Sequence, residues 1–202
     1  MPYTALRVTE RGVVLYDEHR RRLGTACEAA FEAFARTAAP GLYSLSSVDG
    51  RLDVTPRERS RIFDGVPVRY RVSPVAHGTG PKVKTPSPSP WDAVRAEGVA
   101  TLLTSADGSA LYEACVAGLL AWDGATLVAP PDEAPRIASV TEAHLLARHA
   151  HRRAPLLTRA RWPLVLVNAV AGVCVPAIDR PPFPPEVLAT LRASLAASAV
   201  RP

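Results

Sequence analysis

Hydrophobic positions in this chain change their period several times, and each change marks an element. Residues 6–14 are short and β-prone, with Arg11-Gly12 as a turn. Over residues 17–37, Leu23, Cys27, Ala30, Phe31 and Phe34 recur at three- and four-residue spacing, while Arg20, Arg21, Glu28 and Glu32 fall elsewhere. That spacing predicts one amphipathic helix, stopped by Pro40-Gly41. Two β-like runs follow at 42–46 and 66–72, and the second, VPVRYRV, alternates so that Arg69 and Arg71 share a face.

Next comes SPVAHGTGPKVKTPSPSP, whose Pro, Gly and Ser content predicts a linker. Beyond it the pattern predicts a short helix at 91–97, a strand at 99–104 and a turn at Ala106-Asp107-Gly108. A long apolar run at 111–122 breaks at Gly118, and Asp123-Gly124 signals a hairpin into 125–129. Ser139 with Glu142 three residues later reads as a capping box, opening a helix to about residue 151. Buried strands at 164–168 and 173–178 and an amphipathic helix at 184–199 complete the reading. The fold class expected is α/β: a small N-terminal domain at 1–76, a linker at 77–90 and a larger β-rich domain at 91–202.

Composition narrows the function classes. The net charge of +5 is carried mainly by scattered arginines with no aromatic platform, so nucleic acid is not an expected partner. Three cysteines far apart, without a CxxC pair, argue against zinc and against a disulfide framework. No apolar run approaches a membrane span, and the N-terminus MPYTALRVTERG has no signal-like stretch. A cytoplasmic protein without a membrane partner is expected.

Two residues stand out chemically. Glu113 sits within ALYEACVAGLLAW, where a buried carboxylate must be paired or hydrogen-bonded, and a protonated pyridine nitrogen is one cation that would serve. Lys84, in VKTPSPSP, is by itself either a solvated linker lysine or a functional amine, with Lys82 as its rival two residues away. His77 is either a loop residue or a proton-transfer group near that lysine. His144, His149 and His151 fall on one expected helix without an i,i+4 pair, which favours a polar face over a metal site. Cys115 reads as a small buried apolar residue.

The ordered set of Lys84-Thr85, TLLTSADGSALYE, LLAWDGATLVAPP, SVTEAHLL and LVLVNAVAGVCVPAID resembles the pyridoxal-phosphate (PLP) fold-type-IV family, the class IV aminotransferases and aminodeoxychorismate lyases. His19-Arg20-Arg21-Arg22-Leu23 is similar to that family's H-x-x-R-L signature. The resemblance spans residues 10–195. It implies a two-domain D-amino-acid-aminotransferase-like fold with a reduced N-terminal domain, PLP as cofactor, Lys84 as the Schiff-base lysine and Glu113 as partner of the ring nitrogen. It further implies phosphate contacts from Arg22, from the helix start at Val140 and Thr141, and from the loop at Asn168 and Ala169. Arg69 or Arg71 would bind the carboxylate of a small-molecule substrate, at a site built in a homodimer.

The chain also departs from the family pattern. Gly118 stands where Asn is usual, Ser139 for Gly, Glu142 for Arg and Ala169 for Ser or Thr. Glu142 would set an anion near the phosphate, and Ala169 would remove a hydroxyl from it. Two functions follow: a PLP-dependent lyase or aminotransferase on an aminodeoxychorismate-like or amino-acid substrate, or a relative that has lost PLP chemistry and serves as a binding protein or non-PLP enzyme.

Overall fold

The computed structural model describes residues 2–75 and 90–202. His77, Lys82 and Lys84 lie outside the described residues. The chain opens with β1 (Tyr3–Thr9), which turns into β2 (Gly12–Val13). Helices α1 (Tyr16–Leu23) and α2 (Glu28–Thr37) follow, separated by a 3₁₀ turn, Thr25–Cys27. The single helix expected over 17–37 is therefore two, because Gly24 takes φ 85° and redirects the chain. β3 (Gly41–Val48) and β4 (Arg51–Arg57) complete an antiparallel sheet ordered β2-β1-β3-β4. β4 escaped the sequence reading because five of its seven residues are exposed, leaving no alternation to detect. Both helices pack on this sheet through Leu6, Val8, Leu23, Phe31 and Leu45, with Tyr16 and Phe31 stacked at 5.2 Å.

β5 (Val68–Val72) was expected beside these strands. Instead it pairs in parallel with β6 (Ala100–Thr104), from Val68–Ala100 to Val72–Thr104. β7 (Ala110–Ala114), β8 (Gly118–Trp122) and β9 (Leu127–Ala129) come next, then α3 (Val140–Leu146), β10 (His151–Arg153) and β11 (Leu156–Leu157). β12 (Leu164–Asn168), β13 (Gly172–Cys174) and α4 (Pro185–Ala197) end the chain. The strands form one sheet ordered β11-β7-β6-β5 and another ordered β10-β9-β8-β12-β13.

The apolar runs are continuous because the second of these sheets is covered on both faces. Leu119, Leu164 and Leu166 join Leu102 and Leu111 in the core between the sheets. Leu120, Val165 and Val167 point the other way, to Leu145 of α3 and to Leu191 and Leu195 of α4. Each such burial contributes roughly 1.5–3 kcal/mol relative to exposure. The C-terminal segment returns to the first sheet, where Val13 and Val200 exchange hydrogen bonds of 2.8 and 3.0 Å. Gly12 makes this approach possible: a Cβ there would stand 2.2 Å from the Val200 carbonyl oxygen.

The helix expected to reach residue 151 stops at Leu146, and His151 lies in β10 instead. The three histidines therefore share no helix. His144 is buried and its Nδ1 lies 2.8 Å from Glu18, tying α3 to α1. Among the described residues no cluster of His, Cys, Asp or Glu is arranged to hold a metal, and no helix is long and apolar enough to cross a membrane.

Candidate functional site

A cavity of about 300 Å³ opens between the first sheet and the β7–β8 corner. Its near wall is Tyr3, Thr4 and Ala5 of β1, with Arg22 from the end of α1 and Arg57 from the end of β4. The far wall is Glu113, residues 115–118, the strap running through Ile137 and Ser139 to Thr141, and the loop at 167–170. Asp92 and Arg95, from the 3₁₀ turn Pro90–Val94 and the residue after it, close one side. All six residues that the resemblance assigned to the cofactor, Arg22, Glu113, Val140, Thr141, Asn168 and Ala169, thus line one cavity.

Glu113 projects from β7 and is 2% exposed. Its Oε2 accepts a 2.9 Å hydrogen bond from the backbone N–H of Ile137, while Oε1 is buried without a partner. Burial pushes its pKa up to about 8; the Ile137 N–H opposes the shift, then Trp91 and Arg136, and Glu142 reinforces it. The Trp91 indole favours the anion from nearby, yet neither its N–H nor Oε1 completes a hydrogen bond of normal geometry. Thr141, wholly buried in the first turn of α3, has a second orphaned atom, Oγ1. Cys115, beside Glu113 in the same wall, is held protonated by burial, with its pKa raised to about 11.

Four consecutive residues of the strap each hold one part of the site. Arg136 pairs with Glu142 at 2.8 Å; the Ile137 N–H serves Glu113; the Ala138 carbonyl accepts from Arg22; Ser139 Oγ accepts the Glu142 backbone N–H at 3.2 Å. That last bond is half of the capping box read from sequence, and it fixes where α3 begins. The other half is missing: the Glu142 carboxylate turns instead to Arg136 and, at 3.3 Å, Arg153. The anion expected near the phosphate position is therefore neutralised by two guanidinium groups, and Glu142 does not line the cavity.

In the H-x-x-R-L-like stretch, buried His19 Nδ1 lies 2.7 Å from Thr4 Oγ1, anchoring β1. Arg22 is half-buried, and burial lowers its pKa. Asn168 spends its side chain on its own loop: Oδ1 accepts from the backbone of Val170 at 3.1 Å and Ala171 at 2.7 Å, and Nδ2 donates to Val116 O at 3.0 Å.

Arg69 and Arg71 do not line the cavity. Arg69 donates to Thr101 Oγ1 at 2.9 Å and to the Val94 carbonyl at 2.7 Å, bracing β5 against its neighbour, and Arg71 is exposed. The cavity's arginines are Arg22, Arg57, Arg61 and Arg95. Arg57 donates to Ser44 Oγ at 3.0 Å, and Arg61 has its pKa lowered by burial and then by the charges of Arg95 and Arg57. Sequence reasoning missed Arg57 and Arg61 because PRERSRIF has neither periodicity nor motif; only its density of arginine was visible.

No protein-family model matches the sequence, and no curated protein matches it. Solved structures do. A candidate 4-amino-4-deoxychorismate lyase from Legionella pneumophila superposes with a TM-score of 0.72 at 14% identity, covering 98% of this chain and 90% of that one. A candidate branched-chain amino acid aminotransferase from Thermotoga maritima gives 0.70 at 15% identity, covering 97% and 84%. A hypothetical aminotransferase from Mycobacterium tuberculosis, in its PLP-bound form, gives 0.65 at 18% identity, covering 97% and 89%. The chain has the α/β fold of these fold-type-IV proteins.

Proposed function

We propose that this protein is a PLP-dependent enzyme, a lyase or aminotransferase acting on an aminodeoxychorismate-like or amino-acid substrate. The observation that carries the reading is that two buried atoms in the far wall of one cavity, Glu113 Oε1 and Thr141 Oγ1, lack hydrogen-bond partners. Buried polar atoms without partners call for a ligand that satisfies them. PLP brings a protonatable ring nitrogen for the first and a phosphate for the second. Glu113 would hold the ring nitrogen, and Thr141, Val140, Arg22 and the loop at Asn168 and Ala169 would surround the phosphate. When bound, the cofactor supplies an electron sink beside the substrate's amino carbon.

The chain's own residues then divide the work. Lys84 provides the amine that holds the cofactor and afterwards takes and returns the substrate's α-proton at Nζ. Glu113 holds a charge or a proton at Oε1 in a dry setting, where its effect on a ring nitrogen is strongest. Arg57 and Arg61, in place of Arg69 and Arg71, bind the substrate's acid group, since a guanidinium fork matches a carboxylate. A small N-terminal domain and a cofactor-binding domain, joined near residue 80, belong to the same reading. So does a homodimer in the cytoplasm; among the described residues β5 ends its sheet, with Tyr70 and Val72 exposed, which supports a partner surface.

One observation favours a second reading, a relative without PLP chemistry. Asn168 is committed to its own loop and Ala169 offers no hydroxyl, so the phosphate would have few side-chain donors. Titrating the cofactor-free protein with PLP separates the two readings. Saturable binding that induces a visible absorbance band supports the enzyme; its absence at millimolar PLP overturns it.

A further inference from the structure

Among the described residues lining or backing the far wall of the cavity, two carboxyl groups and one guanidinium are almost wholly buried. Glu113 and Glu142 are each 2% exposed, and Arg136 is 4% exposed. Arg136 reaches Glu142 with Nη1, 2.8 Å from Oε1 and 3.0 Å from Oε2. Its own chain continues directly into Ile137, whose N–H is the hydrogen bond on Glu113. One buried cation therefore acts electrostatically on two buried acids and is hydrogen-bonded to one of them. Arg153 and Asp132 join the Glu142 side from more exposed positions, their side chains 31% and 67% exposed, and Asp132 lies 3.4 Å from Arg136 Nη2.

We infer that Arg136 and Glu142 form a positioning pair for Glu113: by engaging Arg136, Glu142 keeps that cation from neutralising Glu113 and so reserves the Glu113 carboxyl for a cation carried by the ligand. The inference rests on the cofactor assignment above for the identity of that cation.

The physical logic is charge balance in a dry place. A buried ion without a counter-ion is costly, so each buried charge finds a partner, a proton or a ligand. With Arg136 spent on Glu142, Glu113 has only a backbone N–H and an uncompleted indole contact. Its remaining options are to keep a proton or to meet a cation. Arg136 and Glu142 are the charges that weigh most on Glu113, ahead of Arg57, Arg61 and the other ionisable groups of the cavity. Cys115 stays protonated; Asp92 is paired with Arg95 at 2.5 Å; Arg22 donates to the Ala138 carbonyl.

The pair also carries the strap mechanically. Arg136 is bound through its side chain and Ser139 through the Glu142 backbone N–H, so both ends of residues 136–139 are fastened to α3. Ile137 and Ala138, which touch Glu113 and Arg22, lie between those fastenings. Gly118 completes the arrangement from the opposite side, because a Cβ there would stand 3.2 Å from Glu142 Oε2. Gly118 and Glu142 are thus in direct contact.

The inference makes the two partners act in opposite directions. Arg136→Met removes the nearby cation and raises the Glu113 pKa by about one unit or more; Glu142→Gln frees Arg136 and lowers it by a similar amount. Mere loss of packing would not produce opposite signs. The Glu113 carboxyl is titrated in cofactor-free protein by isotope-edited infrared spectroscopy, with Glu113→Gln assigning the band and Arg136→Lys as the conservative variant should Arg136→Met not fold. The second arm compares PLP with its 1-deaza analogue, which lacks the ring nitrogen. Glu142→Gln weakens PLP at least tenfold more than the analogue, since the freed Arg136 then competes with the ring nitrogen for Glu113. Shifts of the same sign, no shift, or equal losses for the two ligands overturn the inference. If wild type binds no PLP, the cofactor assignment fails alone, and the titration still decides the role of the pair.

Discussion

The carboxylate of Glu142 lies 3.2 Å from the point where a β-carbon on Gly118 would stand, and Val167 Cγ2 lies equally close. Glu142 is pinned by its ion pairs and Val167 by its β-branched side chain, so neither can retreat cheaply. Gly118→Ala is accordingly expected to cost about 1–3 kcal/mol by overpacking. Chemical denaturation of the single variants and of Gly118→Ala/Val167→Ala checks this: the double variant recovers part of the loss, giving a positive coupling between the sites.

Glu113 makes the stability of the cofactor-free protein pH-dependent. Its folded pKa is raised to about 8 from the ordinary value of 4.5, chiefly by burial. Between those values the folded state binds one proton more than the unfolded state. Stability then falls as pH rises, by up to about 1.4 kcal/mol per pH unit from this group. It is fully retained below the unfolded pKa. Glu113→Gln removes this slope, and denaturation midpoints measured from pH 5 to 8 (on the order of one per half unit) detect the difference.

Much of this arrangement was legible in the sequence, because the far wall is built from periodic, apolar elements. Strands around Glu113, Gly118 and Asn168 read as buried runs, and Ser139 announced the start of α3. The misses have physical causes. β4 is mostly exposed and carries Pro56, so it has no hydrophobic period. β5 reads in sequence as part of the N-terminal domain, but its parallel pairing to β6 depends on a long crossover that local pattern does not encode. Arg57, Arg61 and Arg95 meet only through tertiary folding. Glu142 read alone was an anion near a phosphate; its neutralisation needs Arg136 and Arg153, which spacing does not pair.

Thr141 offers a test that separates ligand binding from folding. Its hydroxyl is buried without a partner, so Thr141→Val leaves the cofactor-free protein as stable as before or more so. If that hydroxyl meets the phosphate, PLP affinity falls by about 1–2 kcal/mol, a factor of roughly 5–30. Isothermal titration of both proteins reads both quantities.

Arg57 and Arg61, which line the cavity, separate substrate binding from chemistry. Arg57→Ala and Arg61→Ala are each expected to raise KM for an acidic amino substrate by about tenfold, with a smaller change in kcat. Arg71→Ala, exposed and away from the cavity, leaves both constants unchanged. Steady-state kinetics of the three variants decides which arginines serve the acid group.

The central claim is that this cavity holds PLP through Lys84. Incubation with PLP, reduction with borohydride and peptide mass mapping test it most directly. The account predicts one reduced pyridoxyl adduct, on Lys84, absent from Lys84→Ala. An adduct on another lysine, or none in wild type at saturating PLP, would contradict it.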